Sequence, residues 1–440
     1  MKSASVSASA FRGYVRDLSA FNDSAIRAGG LPLSFVDLAR EHLDGRAGRE
    51  LRASVDLDEL RRMGAFFTGD KLAATAVALA GDWQPRGPAH DPACGCGDLL
   101  LAAAWKLPVT PSLCDTLSIW NTRLSGRDLV PEFIEVAHQR LALLAMLRGA
   151  RPDGDGLDLA QTLVNIRVGD GRQDEATATA GTVLLNPPYG KVPAPDGTTF
   201  AEGVVTDAAL WTAAVLRRLP AGAQLIAVLP DVLRSGSRYA RFRQAVGQLA
   251  DVQHVQSHGQ FDALTDVDVF LLRAQRQVAP GRWPAEAPAA GVTLGEVASI
   301  SVGPVVDRRD PHLGQWAPYI TTRELPQDGV FIPTRNRRFA KRLFQPPFVV
   351  VRRTSRPSTT APRLRAVVIG GNRPVAVENH LIVIAPDAGG MKACETLAVG
   401  LAEEHITAWL DQRIRCRHLT VAALRDTPAP KAAQTAANAT

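Results

Sequence analysis

The chain is poor in cysteine, has no long apolar run and, over one 39-residue stretch, has no acidic residue at all. Each scarcity excludes something. The five cysteines, Cys94, Cys96, Cys114, Cys394 and Cys416, are odd in number and scattered. That is no framework for a disulfide-stapled secreted domain, and they read as reduced, mostly buried thiols. Cys94-Gly95-Cys96 has no second Cys/His pair at zinc spacing, and His254 and His258 have no third ligand nearby, so no metal is expected. No segment approaches the roughly 18 consecutive apolar residues that span a bilayer. The start, Met1-Lys2-Ser3-Ala4-Ser5-Val6, lacks the apolar core of a signal peptide. No membrane partner and a cytoplasmic location are therefore expected. No internal repeat is present that would imply a solenoid or array.

What is present is enough material for two domains, 440 residues with 46% hydrophobic content. Residues 1–60 read as helices. From 61 to 278 strand and helix patterns alternate, which argues an α/β domain with a mainly parallel sheet covered on both faces. Its clearest crossover helices lie at 131–146 and 208–219. Residues 279–295 read as a Pro/Gly/Ala-rich linker. A second domain of mixed α+β character is expected at 296–426, and a disordered tail at 427–440. Trp105 and Trp211 fall on apolar helical faces and are expected in the core.

Asn186-Pro187-Pro188-Tyr189 follows the apolar run Val183-Leu184-Leu185. A strand breaking into this turn puts an amide and an aromatic ring at a carboxyl strand end, where open α/β sheets bind ligands. The prolines fix φ and carry no N–H, so their carbonyls are left to accept hydrogen bonds. A carbonyl, a primary amide and a flat ring suit an exocyclic amino group on a planar heterocycle. Upstream, Asp91-Pro92-Ala93-Cys94-Gly95-Cys96-Gly97-Asp98 precedes a helical run. Gly95 and Gly97 allow close backbone approach to a ligand. Asp128 and Asp170 close two further strand-like runs, as an acid does where it accepts ribose hydroxyls. Three acids at successive strand ends describe a nucleoside pocket beside a substrate pocket.

These motifs resemble those of S-adenosylmethionine-dependent N6-adenine DNA methyltransferases, of the class with cofactor motifs first, then the catalytic tetrapeptide, then a target-recognition domain. Gly64-Ala65-Phe66-Phe67-Thr68 is similar to the segment covering the cofactor's methionine end, so Phe67 and Thr68 are implied in cofactor binding. Asp91, Ala93, Gly95 and Gly97 match the cofactor loop, with Cys96 where serine is commoner and Asp98 where the family often has asparagine. Asp128 and Leu129 match the ribose segment, and Asp170 the acid against the adenine amino group. The resemblance implies a Rossmann-like domain, S-adenosyl-L-methionine as cofactor, and a flipped-out adenine gripped by Asn186 and Pro187. Pro188 completes the turn, Tyr189 stacks on the base, and Phe261 meets it edge-on. Asp231 lines the pocket or caps its loop.

The charge of +6 is uneven. Residues 296–425 hold 19 Lys/Arg against 11 Asp/Glu, and residues 335–373 hold 11 Lys/Arg and no acid. A one-signed stretch interleaved with Phe339, Phe344 and Phe348 points to phosphate contacts from Arg337, Arg338, Lys341, Arg342, Arg352 and Arg353. Duplex DNA is the expected partner, and the resemblance adds a restriction endonuclease or specificity subunit in a restriction-modification or phage-defence setting. Three alternatives stay open. They are an RNA methyltransferase, a protein-glutamine methyltransferase using the same tetrapeptide, and a DNA-binding subunit with a silent methyltransferase fold. The roughly 60 residues before Gly64 are too few for a fused nuclease.

Overall fold

The computed structural model describes residues 8–56, 60, 66–154, 156–262, 267–284, 287–357 and 361–433. The chain divides into two units, Met1–Arg234 with Tyr239–Pro284, and Ser235–Arg238 with Ala285–Thr440. In chain order the first contains β1 (Ala89–Asp91), β2 (Leu124–Asp128), β3 (Ile166–Val168) and β4 (Thr182–Leu185). Next come β5 (Lys191–Pro193), β6 (Val204–Thr206), β7 (Gln224–Pro230), β8 (Ala250–Gln260) and β9 (Asp268–Arg276).

A seven-stranded sheet runs in the order β3-β2-β1-β4-β7-β9-β8, and β5 and β6 form a separate hairpin. Strands β1 to β4 and β7 are mutually parallel, while β9 runs antiparallel to both its neighbours. Every residue of β4 and of β7 is buried, as expected of central strands covered on both faces. The α/β reading of the sequence holds.

β1 is the strand that sequence reads worst, and the structure shows why it still forms. His90 is fully buried at its centre, with one ring nitrogen 2.9 Å from the Ser125 hydroxyl and the other 3.4 Å from the Asp174 carboxylate. Burial pushes its pKa down to about 4 against the pull of Asp174. Ser125 satisfies one ring nitrogen, while Nε2 stands near Asp174 without a hydrogen bond, so the ring is only half satisfied in this central strand.

The N-terminal helices are part of this unit. Helix Ala8–Arg27 places Phe11 against Phe133 at 5.4 Å, edge to face. Phe11, Tyr14, Val15 and Leu18 share one core with Leu99, Leu141 and Leu144. The helix Pro131–Leu147 starts on proline, where a missing N–H costs nothing. Trp211 is buried beneath the Arg172 guanidinium, 4.8 Å from the ring centroid. Trp105, expected in the core, is 54% exposed and lies under Arg148 instead. Its helix, Asp98–Ala104, ends one residue before it.

The second unit is α+β. It adds β10 (Ala298–Val302), β11 (Gln315–Ile320), β12 (Val330–Phe331), β13 (Asn336–Phe339) and β14 (Phe348–Arg352). β15 (Ala366–Ile369), β16 (Ala376–Val377) and β17 (Leu381–Pro386) complete the set. One sheet runs β10-β17-β14-β15-β12 and another β13-β11-β16. Along β14 the side chains alternate: Val349 and Val351 face the core that includes Cys394, Leu397, Ile406 and Leu410, while Phe348 and Val350 face a second core.

Two boundary expectations change. The stretch 279–295 is not a free linker: Trp283 packs on Phe242 and Phe270. Leu294 is fully buried in the second unit, behind a capping box of Thr293 and Glu296. Nor is the composition-based tail disordered from 427. Thr427 and Ala429 are fully buried, the Thr427 hydroxyl donates to the Ala423 carbonyl, and the Ala429 N–H donates to Val292. Residues 434–440 lie outside the described residues.

Candidate active site

Chain order reverses between β1 and β4. From β1 the chain builds outward through β2 and β3, then returns to place β4 on the other side. A crevice opens at the carboxyl ends of such strands, and both sequence motifs leave the sheet there. After β1, Gly95 and Gly97 adopt φ of 50° and 85°, conformations that favour glycine. A Cβ on Gly95 would stand 2.9 Å from the Phe67 ring, and one on Gly97 3.1 Å from the Ala137 methyl. The loop is bolted to β2. The Cys94 N–H donates to the Arg127 carbonyl at 2.8 Å, and the Gly95 N–H donates to the Asp128 carboxylate at 3.0 Å. The Val130 N–H takes the second Asp128 oxygen at 2.9 Å.

Three carboxyls converge on this loop. Asp91 accepts the Ala93 N–H at 3.1 Å. It is buried, and burial pushes its pKa up to about 8, with Asp128 and Asp98 pushing the same way. Asp128 is also raised by burial, although backbone N–H groups pull it back. Asp98, the first residue of its helix, gives one oxygen to Arg140 and the other to the Gly69 N–H, each at 2.7 Å. A carboxylate thus fills the helix start that a phosphate-bearing dinucleotide would need. The loop suits a nucleoside with hydroxyls and positive charge.

Arg140, which the sequence reading did not single out, anchors this arrangement. It is fully buried and donates to the carbonyls of His42 (3.0 Å), Leu43 (2.9 Å) and Cys96 (2.7 Å) as well as to Asp98. An arginine inside the otherwise apolar end of a buried helix was the signal that could have found it. Gly171 was missed too: a Cβ there would fall 1.8 Å from the Pro92 carbonyl oxygen, so the turn after β3 packs directly on the β1 loop.

After β4, the Asn186 amide is fixed in one orientation. Its Nδ2 donates to the Thr68 hydroxyl at 2.9 Å and the Phe66 carbonyl at 3.2 Å. A carbonyl can only accept, so the amide nitrogen must face it and Oδ1 must point the other way. The Tyr189 hydroxyl shares its single proton between that Oδ1 (2.8 Å) and the Val228 carbonyl (3.0 Å). Burial raises the Tyr189 pKa well above its ordinary value, so the ring stays a neutral phenol. Phe261 stands at 81° to the Tyr189 ring, 5.9 Å between centroids. Pro187 is buried, Pro188 is half-buried, and the Pro187 carbonyl takes no hydrogen bond among the described residues. Beyond the turn, the Thr206 hydroxyl donates to the Tyr189 carbonyl at 3.2 Å and the Asp207 N–H to Gly190 at 2.8 Å.

The other expected residues lie as follows. Leu129 caps the tip of β2 and is 64% exposed. Asp170 lies just past β3, exposed, with its carboxylate accepting the Arg172 N–H at 3.0 Å. Asp231 is buried at the start of the helix Asp231–Ser235, in an ion pair with Arg234 at 2.7 Å. Gly64 and Ala65 lie outside the described residues.

The basic stretch is only partly a surface. Arg337, expected at phosphate, is 1% exposed, paired with Asp307, bonded to the Asp310 carbonyl at 2.6 Å and set 5.3 Å from the Tyr319 ring centroid. It is an internal cation, because β13 points alternate residues inward. Phe339, Phe344 and Phe348 are core, not interleaved surface rings. Lys341 is exposed but neutralised by Asp310 at 2.8 Å, and Arg353 is half-buried. Arg338, Arg342 and Arg352 are exposed as expected.

No family model and no curated protein matches this chain. Solved structures with a similar fold include a Listeria monocytogenes protein provisionally assigned as a class I S-adenosylmethionine-dependent methyltransferase. That pair shares 15% identity over 63% of this chain and 91% of that one, with a TM-score of 0.36. The M protein of the type I restriction enzyme EcoKI shares 16% identity over 62% of this chain and 65% of its own, TM-score 0.36. The type IIL restriction-modification enzyme MmeI, solved with DNA, shares 11% over 87% and 70%, TM-score 0.48. This chain thus spans just under two thirds of the EcoKI protein. The likeness is one of fold.

Proposed function

We propose that the chain is a site-specific DNA methyltransferase that uses S-adenosylmethionine and modifies the N6 amino group of an adenine flipped out of the duplex. The carrying observation is the locked Asn186 amide, its Oδ1 presented beside an unengaged Pro187 carbonyl at the switch point of the sheet. Two acceptors set this way match the two N–H bonds of an exocyclic amine. An adenine amino group is a poor nucleophile because its lone pair is delocalised into the ring. Accepting both N–H bonds favours a pyramidal nitrogen and stabilises the positive charge that grows as it attacks. The Tyr189 and Phe261 rings offer a face and an edge to the base. Inside a duplex the atom is unreachable, so the base is extruded at a cost of a few kcal/mol.

The loop fits the cofactor. Its carboxyls favour a cation with ribose hydroxyls and no phosphate, and Phe67 lies close over Gly95. Asp128 and Leu129 would hold ribose and adenine, and Asp170 the adenine amino group. Phe67, Thr68, Ala93, Gly95 and Gly97 would line the methionine end. When bound, S-adenosylmethionine supplies an electrophilic methyl group on sulfonium. The setting is a restriction-modification or phage-defence system, with duplex DNA and a nuclease or specificity subunit as partners.

The test is transfer of labelled methyl to unmodified duplex DNA, followed by nucleoside analysis. N6-methyladenine is the expected product. Label found only in RNA or in a protein overturns the reading, as does tight DNA and cofactor binding with no transfer at any DNA sequence.

Asp91 makes cofactor binding pH-dependent. Its pKa is about 8 in the folded protein against an ordinary value of 3.8. Its contribution to stability is therefore complete below about pH 4 and is lost as pH rises through 8. A cation bound beside it favours the ionised form and displaces the proton. Cofactor affinity is expected to rise with pH up to about 8 and then level off, with about one proton released on binding near neutral pH. Calorimetry in buffers of different ionisation enthalpy measures that proton, and its absence in Asp91→Asn assigns it.

A further inference from the structure

We infer that the outer face of the β13-β11-β16 sheet is a contact surface for duplex DNA, with Trp316 at its centre. The inference rests on the DNA-methyltransferase reading and deepens it: it selects one sheet face and adds Trp316 and Arg373 to the arginines expected from sequence.

The alternation that buries Arg337 also builds this face. β11 and β13 pair antiparallel with Trp316 opposite Arg338, Ala317 opposite Arg337 and Pro318 opposite Asn336. Inward go Ala317, Tyr319, Arg337 and Phe339, all buried. Outward go Trp316, Arg338 and Asn336. Trp316 is 63% exposed; one exposed aromatic is ordinary by itself, and what sets this one apart is the charge that flanks it. Directly opposite residues lie about 5 Å apart at Cβ, so Arg338 and Trp316 stand side by side on this face. The Arg338 Nε donates to the Gly314 carbonyl at 3.0 Å, which holds the rest of the fork outward. On the opposite flank Arg373 donates to the Trp316 carbonyl at 3.2 Å and is itself exposed. Arg342 is stacked 4.7 Å from the Phe344 ring centroid, and Phe344 bridges to Val375, two residues after Arg373.

The charge decides the occupant. None of Arg338, Arg342 and Arg373 meets a carboxylate among the described residues. The nearby acids are engaged elsewhere: Asp307 with Arg337, Asp310 with Lys341, Glu324 with Arg335 and Glu378 with His380. Two uncompensated guanidinium groups, Arg338 and Arg373, flank one exposed indole with the Asn336 amide on the same face, and fit a polyanion that also presents apolar surface. Arginine forks match phosphate, and the indole packs on deoxyribose or on a thymine methyl at a groove edge. Duplex DNA supplies both.

The full chain is titrated with labelled duplex DNA over a series of salt concentrations, alongside Trp316→Ala, Trp316→Phe and the pair Arg338→Gln/Arg373→Gln. Trp316→Ala is expected to weaken binding on the order of tenfold, with Trp316→Phe recovering most of it. The arginine pair is expected to reduce the slope of log affinity against log salt by about 0.9 for each phosphate that is no longer neutralised. Cofactor affinity stays unchanged in all three variants, which separates this face from the catalytic crevice and from misfolding. Normal DNA affinity and salt slope in every variant, with the wild-type chain binding and methylating DNA, overturns the surface alone. Failure of the wild-type chain to bind duplex DNA at low salt overturns the functional reading and this surface with it.

Discussion

Asn186→Ala is expected to lower methyl transfer by about a thousandfold or more while cofactor affinity stays within a few-fold of wild type. The size follows from what the amide does. Removing one preorganised dipole from a site where charge develops costs on the order of a hundred- to a thousandfold in rate. Here the same change also releases the Tyr189 hydroxyl, which loses one of its two acceptors. The glycine loop is anchored elsewhere, through Asp128, Asp98 and Arg140, so the few-fold change comes only from the lost bonds to Thr68 and the Phe66 carbonyl. Asn186→Asp separates orientation from simple loss. It keeps an acceptor at Oδ1, but its second oxygen faces the Phe66 carbonyl, which cannot donate. That variant should bind cofactor and fail in transfer as well. Single-turnover transfer and cofactor calorimetry on the two variants check the prediction. Transfer within tenfold of wild type in Asn186→Ala would remove the amide from the mechanism.

The first unit was legible because its signals are local. Gly95, Gly97 and the Asn186 turn each impose backbone geometry within a few residues, and Asp91, Asp128 and Asp170 fall at or just past the ends of successive strands. Leu184 and Val228 read as strands because both sheet faces are covered. β1 reads poorly because His90 depends on Ser125 and Asp174, partners 35 and 84 residues away, which no local pattern reveals. Arg140 escaped notice for the same reason, its acceptors being carbonyls from the N-terminal helices and the glycine loop. The basic stretch misled in one respect. Charge density counts arginines without their direction, and a period of two sends Arg337 inward beside an outward Arg338. The exposed Trp316 that shares the face of Arg338 sits 22 residues earlier, before the charge run begins.

Arg140→Met is expected to destabilise the first unit by about 3–5 kcal/mol, because it leaves the buried Asp98 carboxylate without its ion pair. The Cys96, His42 and Leu43 carbonyls lose their donor at the same time. For a unit of this size that corresponds to a fall in melting temperature of roughly 10 °C. Arg140→Lys keeps the charge, but one ammonium cannot reach acceptors spread across a guanidinium fork, so an intermediate loss is expected. The double variant Arg140→Met/Asp98→Asn separates the two causes. If the penalty is mainly the stranded carboxylate, the double variant recovers a good part of the single loss. If it is mainly the orphaned carbonyls, recovery is small. The function follows the same path, since Arg140 ties the loop that carries Gly95 and Gly97 to the N-terminal helices. Below the melting transition, Arg140→Met should still bind cofactor more weakly than wild type, by about tenfold, because the Cys96 carbonyl is no longer held. Thermal melts with and without S-adenosylmethionine measure both effects. A melting temperature within 2 °C of wild type would show that water or a local rearrangement replaces what Arg140 does.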